Sequence, residues 1–205
     1  MGRYTVIRVH LKSKPNQEAI RSLSGLFSEI SATIETYGGL AYRPLPWLIL
    51  LLSNGVSEAK HKEIFQRIRS DDNLEAKMAS ITSVNPVHAV LVAMRMLRSY
   101  EYYFQSGEET PYSIGVFTVK RTGDQGDVLS EIATRLRLHF DISRALLTTG
   151  GLPLSVSLER VIGVLRDNSI EYIQSLLRHV SIGVGVDYRA LDALRKAEES
   201  TLISD

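Results

Sequence analysis

Side chains able to do chemistry are sparse in this chain, and their spacing excludes more than it assigns. The 205 residues include no cysteine, which rules out disulfides, zinc ribbons, cysteine-held iron–sulfur clusters and thiol nucleophiles. The histidines His10, His61, His88, His139 and His179 show no HExxH spacing and read as surface or strand-end residues. His10 draws interest because it ends the first predicted strand. There is no G-x-S-x-G elbow and no Walker Gly-Lys-Ser/Thr. Gly183-Val184-Gly185 has the look of a phosphate loop but falls within a predicted strand, where glycine permits close helix packing. Arg135, Arg137 and Arg144 are spread over more than one helix face and read as a solvated surface, not a DNA-binding stripe. With 24 basic and 23 acidic residues the net charge is +1, which argues against nucleic acid as a partner.

The elements that must position such residues are legible from periodicity. Hydrophobic residues make up 44% and charged residues 23%, ordinary for a soluble globular protein. The apolar runs at 47–52 and 89–94 are far shorter than the roughly 20 residues that span a bilayer. The first residues lack a signal-peptide apolar region, so a cytoplasmic protein with no membrane partner is expected. Residues 4–10 are β-branched and partly alternating, a strand. Ile20, Leu23, Phe27, Ile30 and Ile34 recur at helical spacing, and Gly38-Gly39 stops that helix. Strands follow at 40–43 and 48–52, with Pro44-Leu45-Pro46 as the turn. Ser57 caps a helix carrying Ile64, Phe65 and Ile68. A strand at 76–84 precedes a helix opened by Asn85-Pro86. The order then repeats: a strand at 114–120, a helix whose stripe is Val128, Leu129, Ile132, Leu136 and Phe140, strands at 152–156 and 161–165, a helix with Ile170 and Ile173, a strand at 180–186 and a last helix from Tyr188.

Gly39-Leu40 matches Gly151-Leu152, and both halves read β-α-β-β-α-β-α. The chain is therefore expected to be an internal duplication of α+β, ferredoxin-like units, each a sheet with helices on one face. The expected boundaries are 1–99 for the first unit, 100–112 for a linker, 113–200 for the second unit and 201–205 for a tail.

The run Gly39-Leu40-Ala41-Tyr42, the strand Trp47 to Leu52 with Ser53-Asn54-Gly55, His61-Lys62-Glu63-Ile64 and Ile68-Arg69 resemble the first half of archaeal GTP cyclohydrolase III. Ser181-Ile182-Gly183-Val184-Gly185-Val186 and the Ala190/Ala193 helix are similar to its second half. The resemblance implies tandem palm-type domains like those of nucleotide cyclases. It also implies Mg²⁺-dependent opening of the GTP imidazole ring to a formylamino-pyrimidine nucleotide, with GTP or another purine nucleotide as ligand, and a homo-oligomer. In palm domains the metal sits between an Asp ending the first strand and an Asp in the hairpin turn, because Mg²⁺ takes hard oxygens from one or two carboxylates and the substrate phosphates.

At those positions this chain departs from the pattern. The first-strand position falls on His10 and on Thr118. The hairpin-turn position falls on Pro46 or Trp47 and on Glu159. Glu159 is the weak metal candidate that remains, and it also reads as an exposed turn carboxylate near Arg160. Asp124 and Asp127 are the nearest spare acids if the register slips, and helix capping is their other reading. The expectation is a degenerate member with no metal required, and Mg²⁺ only if it is active. The palm resemblance places phosphates over the loops Lys12-Ser13-Lys14 and Lys120-Arg121-Thr122-Gly123. There Lys12, Lys14, Lys120 and Arg121 would replace metal as counter-charges, beside backbone N–H groups at a helix start. Solvated loop charges are the alternative reading. An active enzyme with unorthodox ligands and a scaffold that binds a protein partner stay open as well.

Overall fold

The computed structural model describes residues 1–12, 14, 17–107, 113–121, 128–157, 160–166, 169–176 and 180–203. The first half runs β1 (Gly2–Leu11), α1 (Gln17–Thr36), β2 (Leu40–Leu45), β3 (Leu48–Leu52), α2 (Glu58–Arg69), β4 (Leu74–Ser83), α3 (Pro86–Met96) and β5 (Tyr102–Phe104). The second runs β6 (Ile114–Arg121), α4 (Val128–Thr149), β7 (Leu152–Val156), β8 (Arg160–Val164), α5 (Ser169–Leu176), β9 (Val180–Asp187) and α6 (Ala190–Ile203). These are duplicated α+β units of ferredoxin-like order. The contacts divide the chain into Met1–Ser83 with His88–Tyr112, and Val84–Val87 with Ser113–Asp205.

In the first unit the β-branched run of β1 forms the central strand. It pairs antiparallel with β3 on one side and β4 on the other, giving the order β2-β3-β1-β4-β5. Alternation sends Ile7 and Val9 to one face, where they join Ile49, Leu51, Ala76 and Met78 beneath Leu26, Ile30 and Ile34 of α1 and Ile64, Phe65 and Ile68 of α2. Ser57 caps α2 by accepting the Lys60 N–H. The β2–β3 turn is tighter than its prolines suggest. Leu45 pairs with Leu48, so Pro46-Trp47 alone make the turn, and a register shift between Tyr42 and Leu45 absorbs Pro44, which has no N–H to donate. The segment expected as a linker holds β5, parallel to β4 at Met78–Ser80. Its flanks extend that pairing: Met78 N–H donates to the Glu101 carbonyl and Gln105 N–H to that of Ser80, while the Gln105 side-chain oxygen accepts the Thr82 N–H.

The second unit repeats the scheme as β7-β8-β6-β9. The β6–β8 ladder copies β1–β3 with each partner 112 residues on: Tyr4↔Leu52 recurs as Val116↔Val164, and Arg8↔Leu48 as Lys120↔Arg160. Gly38 (φ 76) and Gly150 (φ 80) end α1 and α4 in the left-handed region at the same offset, so residues of the two helices correspond one to one. Phe117 and Val119 pack under Ile142, Leu146 and Ile173 on the α4/α5 face. The other face carries α6. The Thr118 hydroxyl donates to the Ala197 carbonyl at 3.5 Å, and a Cβ on Gly185 would lie 1.9 Å from the Ala193 oxygen. At the outer edge of β9 the Ser200 hydroxyl accepts the Val184 N–H at 2.9 Å and lies 3.3 Å from the Val184 carbonyl.

The helix α4 differs from its sequence reading. The expected stripe is turned outward: Leu129 is 75% exposed, Ile132 41%, Leu136 58% and Phe140 66%. The packed side is Leu138, Ile142, Ala145 and Leu146. Two apolar rows run along this helix, and periodicity alone does not say which one meets the sheet.

Gly185→Ala is expected to lower stability by about 1–3 kcal/mol or more, since its Cβ meets backbone that cannot step aside. Gly25→Ala, within α1 and with nothing within 4 Å of the added atom, is expected to raise it by roughly 0.5–1 kcal/mol. Urea denaturation midpoints of the two variants check both signs.

Candidate functional site

The ladder brings the end of β1 beside the β2–β3 turn, where a palm domain holds its metal. The Val9 N–H donates to the Trp47 carbonyl at 2.9 Å, which ties the turn to the strand end. Arg8 and His10 are two residues apart and so share a face. Arg8 stands opposite Leu48 and Lys77, and His10 opposite Glu75. The Arg8 guanidinium lies 5.7 Å from the centre of the Trp47 ring, and its Nε is buried without a hydrogen-bond partner. His10, Lys12 and Lys14 are exposed, and the Lys12 N–H is fixed by the Asn73 carbonyl. Asp71 is held below the usual carboxylate range, chiefly by the Ser22 hydroxyl and in smaller part by the charge of Lys12. Lys12 is thus partly matched by an acid, whereas Arg8 meets an indole.

A constant offset of 112 corrects the assignment of Thr118. The counterpart of His10 is Thr122. Thr118 corresponds to Val6, in the middle of its strand, and is fully buried. It cannot reach a strand-end ligand. Thr122, Gly123, Asp124, Asp127 and Glu159 lie outside the described residues. Arg121 closes β6 in the backbone. The counterpart of Arg8 is Lys120, opposite Arg160 and Ser181. Both central strands therefore carry a cation at the same register position. Lys120 is visible in the sequence as part of a basic loop. Arg8 is hidden inside an apolar strand, and only the register pairs it with Lys120.

The residues of the first half do not fit a Mg²⁺ ion. The positions that the resemblance assigns to aspartates hold an imidazole at His10 and the Pro46-Trp47 turn, and the ladder neighbour of His10 supplies one carboxylate, Glu75. Mg²⁺ asks for hard oxygens in octahedral array. Among the described residues no three His, Asp or Glu side chains converge. What this strand end can do is attract an anion.

Residues 9–111 match the family model described as GTP cyclohydrolase III. The chain belongs to the GTP cyclohydrolase III family. No curated protein matches it. Among solved structures it is similar to a bacterial light-regulated adenylyl cyclase, at 12% identity and TM-score 0.39, covering 100% of this chain and 83% of that one. A dimeric guanylyl cyclase domain from the aquatic fungus Blastocladiella emersonii matches at 12% identity and TM-score 0.36, covering 80% of this chain and 94% of that one. A chlorite dismutase from Candidatus Nitrospira defluvii matches at 9% identity and TM-score 0.29, over 95% of each chain.

The family member holds a second polar group that sequence reasoning misplaces. His61 is fully buried, not a surface residue. Its Nδ1 lies 2.9 Å from the Ser57 carbonyl, which can only accept, so the proton sits on Nδ1. Nε2 then accepts from the Ser53 hydroxyl at 3.0 Å, and Thr5 Oγ1 lies 3.0 Å from the same nitrogen. Thr5 donates to Ser80. Arg3 also donates to Ser80 and to the Gln105 carbonyl and lies 4.1 Å over the Phe104 ring. In the second half the register places Phe117 at the Thr5 position and Val184 at the Ser80 position. Leu165 and Ile173 stand 112 residues after Ser53 and His61. This network is on the helix-facing side of β1, about 15 Å along the strand from His10, and is separate from the cationic strand end.

Burial pushes the His61 imidazole down to about 4, with the Arg3 charge adding to it against the Ser57 carbonyl and Glu58. The unfolded chain binds that proton near pH 6.5, so stability is full above pH 6.5 and is lost as pH falls from 6.5 toward 4, by about 3 kcal/mol. Denaturant midpoints between pH 7.5 and 4.5 should show this slope. His61→Ile should abolish it while lowering stability at neutral pH, because the Ser53 hydroxyl and the Ser57 carbonyl lose their partner.

Proposed function

We propose that this member of the GTP cyclohydrolase III family binds the phosphates of a purine nucleotide through side-chain cations and no longer opens the ring. The carrying observation is the cation at one register position of both central strands, Arg8 and Lys120, next to a first-half strand end without an aspartate pair. A ring-opening hydrolase of this family needs a metal to neutralise the triphosphate and release pyrophosphate. Arginine and lysine can take over the neutralising part of that task, since charge-assisted N–H···O bonds to phosphate are among the stronger ones proteins form. They cannot supply a metal-bound nucleophile. The bound nucleotide is therefore returned intact. In this reading Arg8 donates to phosphate oxygens from a position steadied by Trp47, and Lys12 and Lys14 add to the field around the strand end.

Two measurements test this. Incubation of the full chain with GTP and Mg²⁺, followed by mass spectrometry, should return GTP without a formylamino-pyrimidine product. Titration with GTP should give the same affinity with and without EDTA, and Arg8→Gln or Lys120→Gln should each weaken binding roughly tenfold with little change in melting temperature. A ring-opened product, or binding that EDTA abolishes, overturns the proposal. Absence of any nucleotide binding overturns it too, in favour of a scaffold.

A further inference from the structure

The outer face of α4 is apolar where the fold does not require it. Leu129, Leu136, Phe140 and Leu147 are 75%, 58%, 66% and 55% exposed. At 100° per residue they lie within about 20° of one line along the helix. That line is opposite the side that packs Leu138, Ile142 and Ala145 on the sheet. The duplication supplies an internal control. At the matching positions, 112 residues earlier, α1 carries Gln17, Ser24, Ser28 and Glu35. The same helix in the same fold is thus built with a polar outer face in one half and a leucine–phenylalanine row in the other.

We infer that this face of α4 docks against α4 of a second copy of the chain, antiparallel, about a two-fold axis near Leu138. The row reads alike from both ends: Leu129 and Leu136 are seven residues apart, as are Phe140 and Leu147. An isologous contact needs such self-complementarity. Reversal sets Leu129 against the partner's Leu147 and Leu136 against the partner's Phe140. The charges beside the row agree with this direction. Arg137 and Asp141 flank it as a loose pair at 3.8 Å. With the axis near Leu138 an antiparallel partner brings its own Asp141 to the same flank, about 3 Å along the helix from Arg137. The area is also of the right size. With large apolar side chains of roughly 200 Å² each, the exposed fractions leave on the order of 500 Å² of apolar surface per copy, among the larger patches that soluble monomers show and of a size that is often functional. Two such faces with their polar flanks reach the range of a standard specific interface, about 1,200 Å² or more.

The test is sedimentation of the full chain between low and high micromolar concentration. A species of twice the chain mass is expected. In Leu136→Ser/Phe140→Ser, which installs the residues α1 carries at these positions, the dissociation constant should rise roughly a hundredfold while the melting curve of the monomer is kept. The absence of native cysteine allows a direct reading of geometry. Under oxidation, a mixture of Leu129→Cys and Leu147→Cys chains should form a crosslinked dimer, and each variant alone should not. A wild-type chain that stays monomeric, a double variant that still dimerises, or crosslinking of either variant with itself overturns the inference. So does a monomer that binds vesicles of anionic lipid through this face.

Discussion

β1 hydrogen-bonds to β3 along one side and to β4 along the other, and β6 does the same with β8 and β9. Tyr4–Arg8 and Val116–Lys120 therefore have a cross-strand neighbour on both sides, and the strand ends have one on β4 or β9. That constraint puts His10 beside Glu75, holds the Pro46-Trp47 turn against the strand end, and gives Arg8 and Lys120 the same address in their respective halves. It also decides which side chains are trapped between sheet and helices. The strand end carries chemistry because it is where the ladder stops and the backbone opens to the loops.

Within that shared backbone the two halves have been filled differently. The first places a neutral imidazole among hydroxyls, with both ring nitrogens of His61 within hydrogen-bond distance of oxygen and the ring edge-on to Phe104. The second fills the matching volume with Phe117, Leu165, Ile173 and Val184. A fully satisfied polar network fixes one arrangement of its members, because any other leaves a buried group unpaired. An apolar core tolerates repacking more readily. The outer faces of α1 and α4 diverge in the same sense, polar in the first half and apolar in the second. The duplication keeps the ladder while the surfaces that meet helices, solvent or ligand are free to differ.

How much of this is legible in the sequence depends on whether a residue obeys a local period. The strand–helix order is legible because Ile30, Ile34, Ile142 and Leu146 follow helical spacing, and because Gly38 and Gly150 mark the stops. The family resemblance is legible for the same reason. β5 is not, since Tyr102–Phe104 become a strand only by pairing with Met78–Ser80, a contact no local pattern encodes. Arg8 hides within an apolar strand, and its match to Lys120 emerges only from the pairing register. Thr118 is misplaced because the end of an apolar run is not the end of the pairing. His61 looks like a surface histidine on a charged helix, and only the arrival of Thr5 and Ser53 beneath it makes the burial affordable.

The edges of the two sheets have a consequence of their own. A bare outer strand offers a row of free amides and carbonyls to any other extended chain, the usual seed of fibrils. Here β2 and β7 carry Pro44 and Pro153, which interrupt that row. On the far side of the first sheet the row is taken by three residues of β5 and then by the amide oxygen of Gln105. On the second it is met by the hydroxyl of Ser200 at Val184. A chain with two sheets has twice the outer strands to guard, and small local devices, a proline, an amide and a hydroxyl, occupy or interrupt their rows.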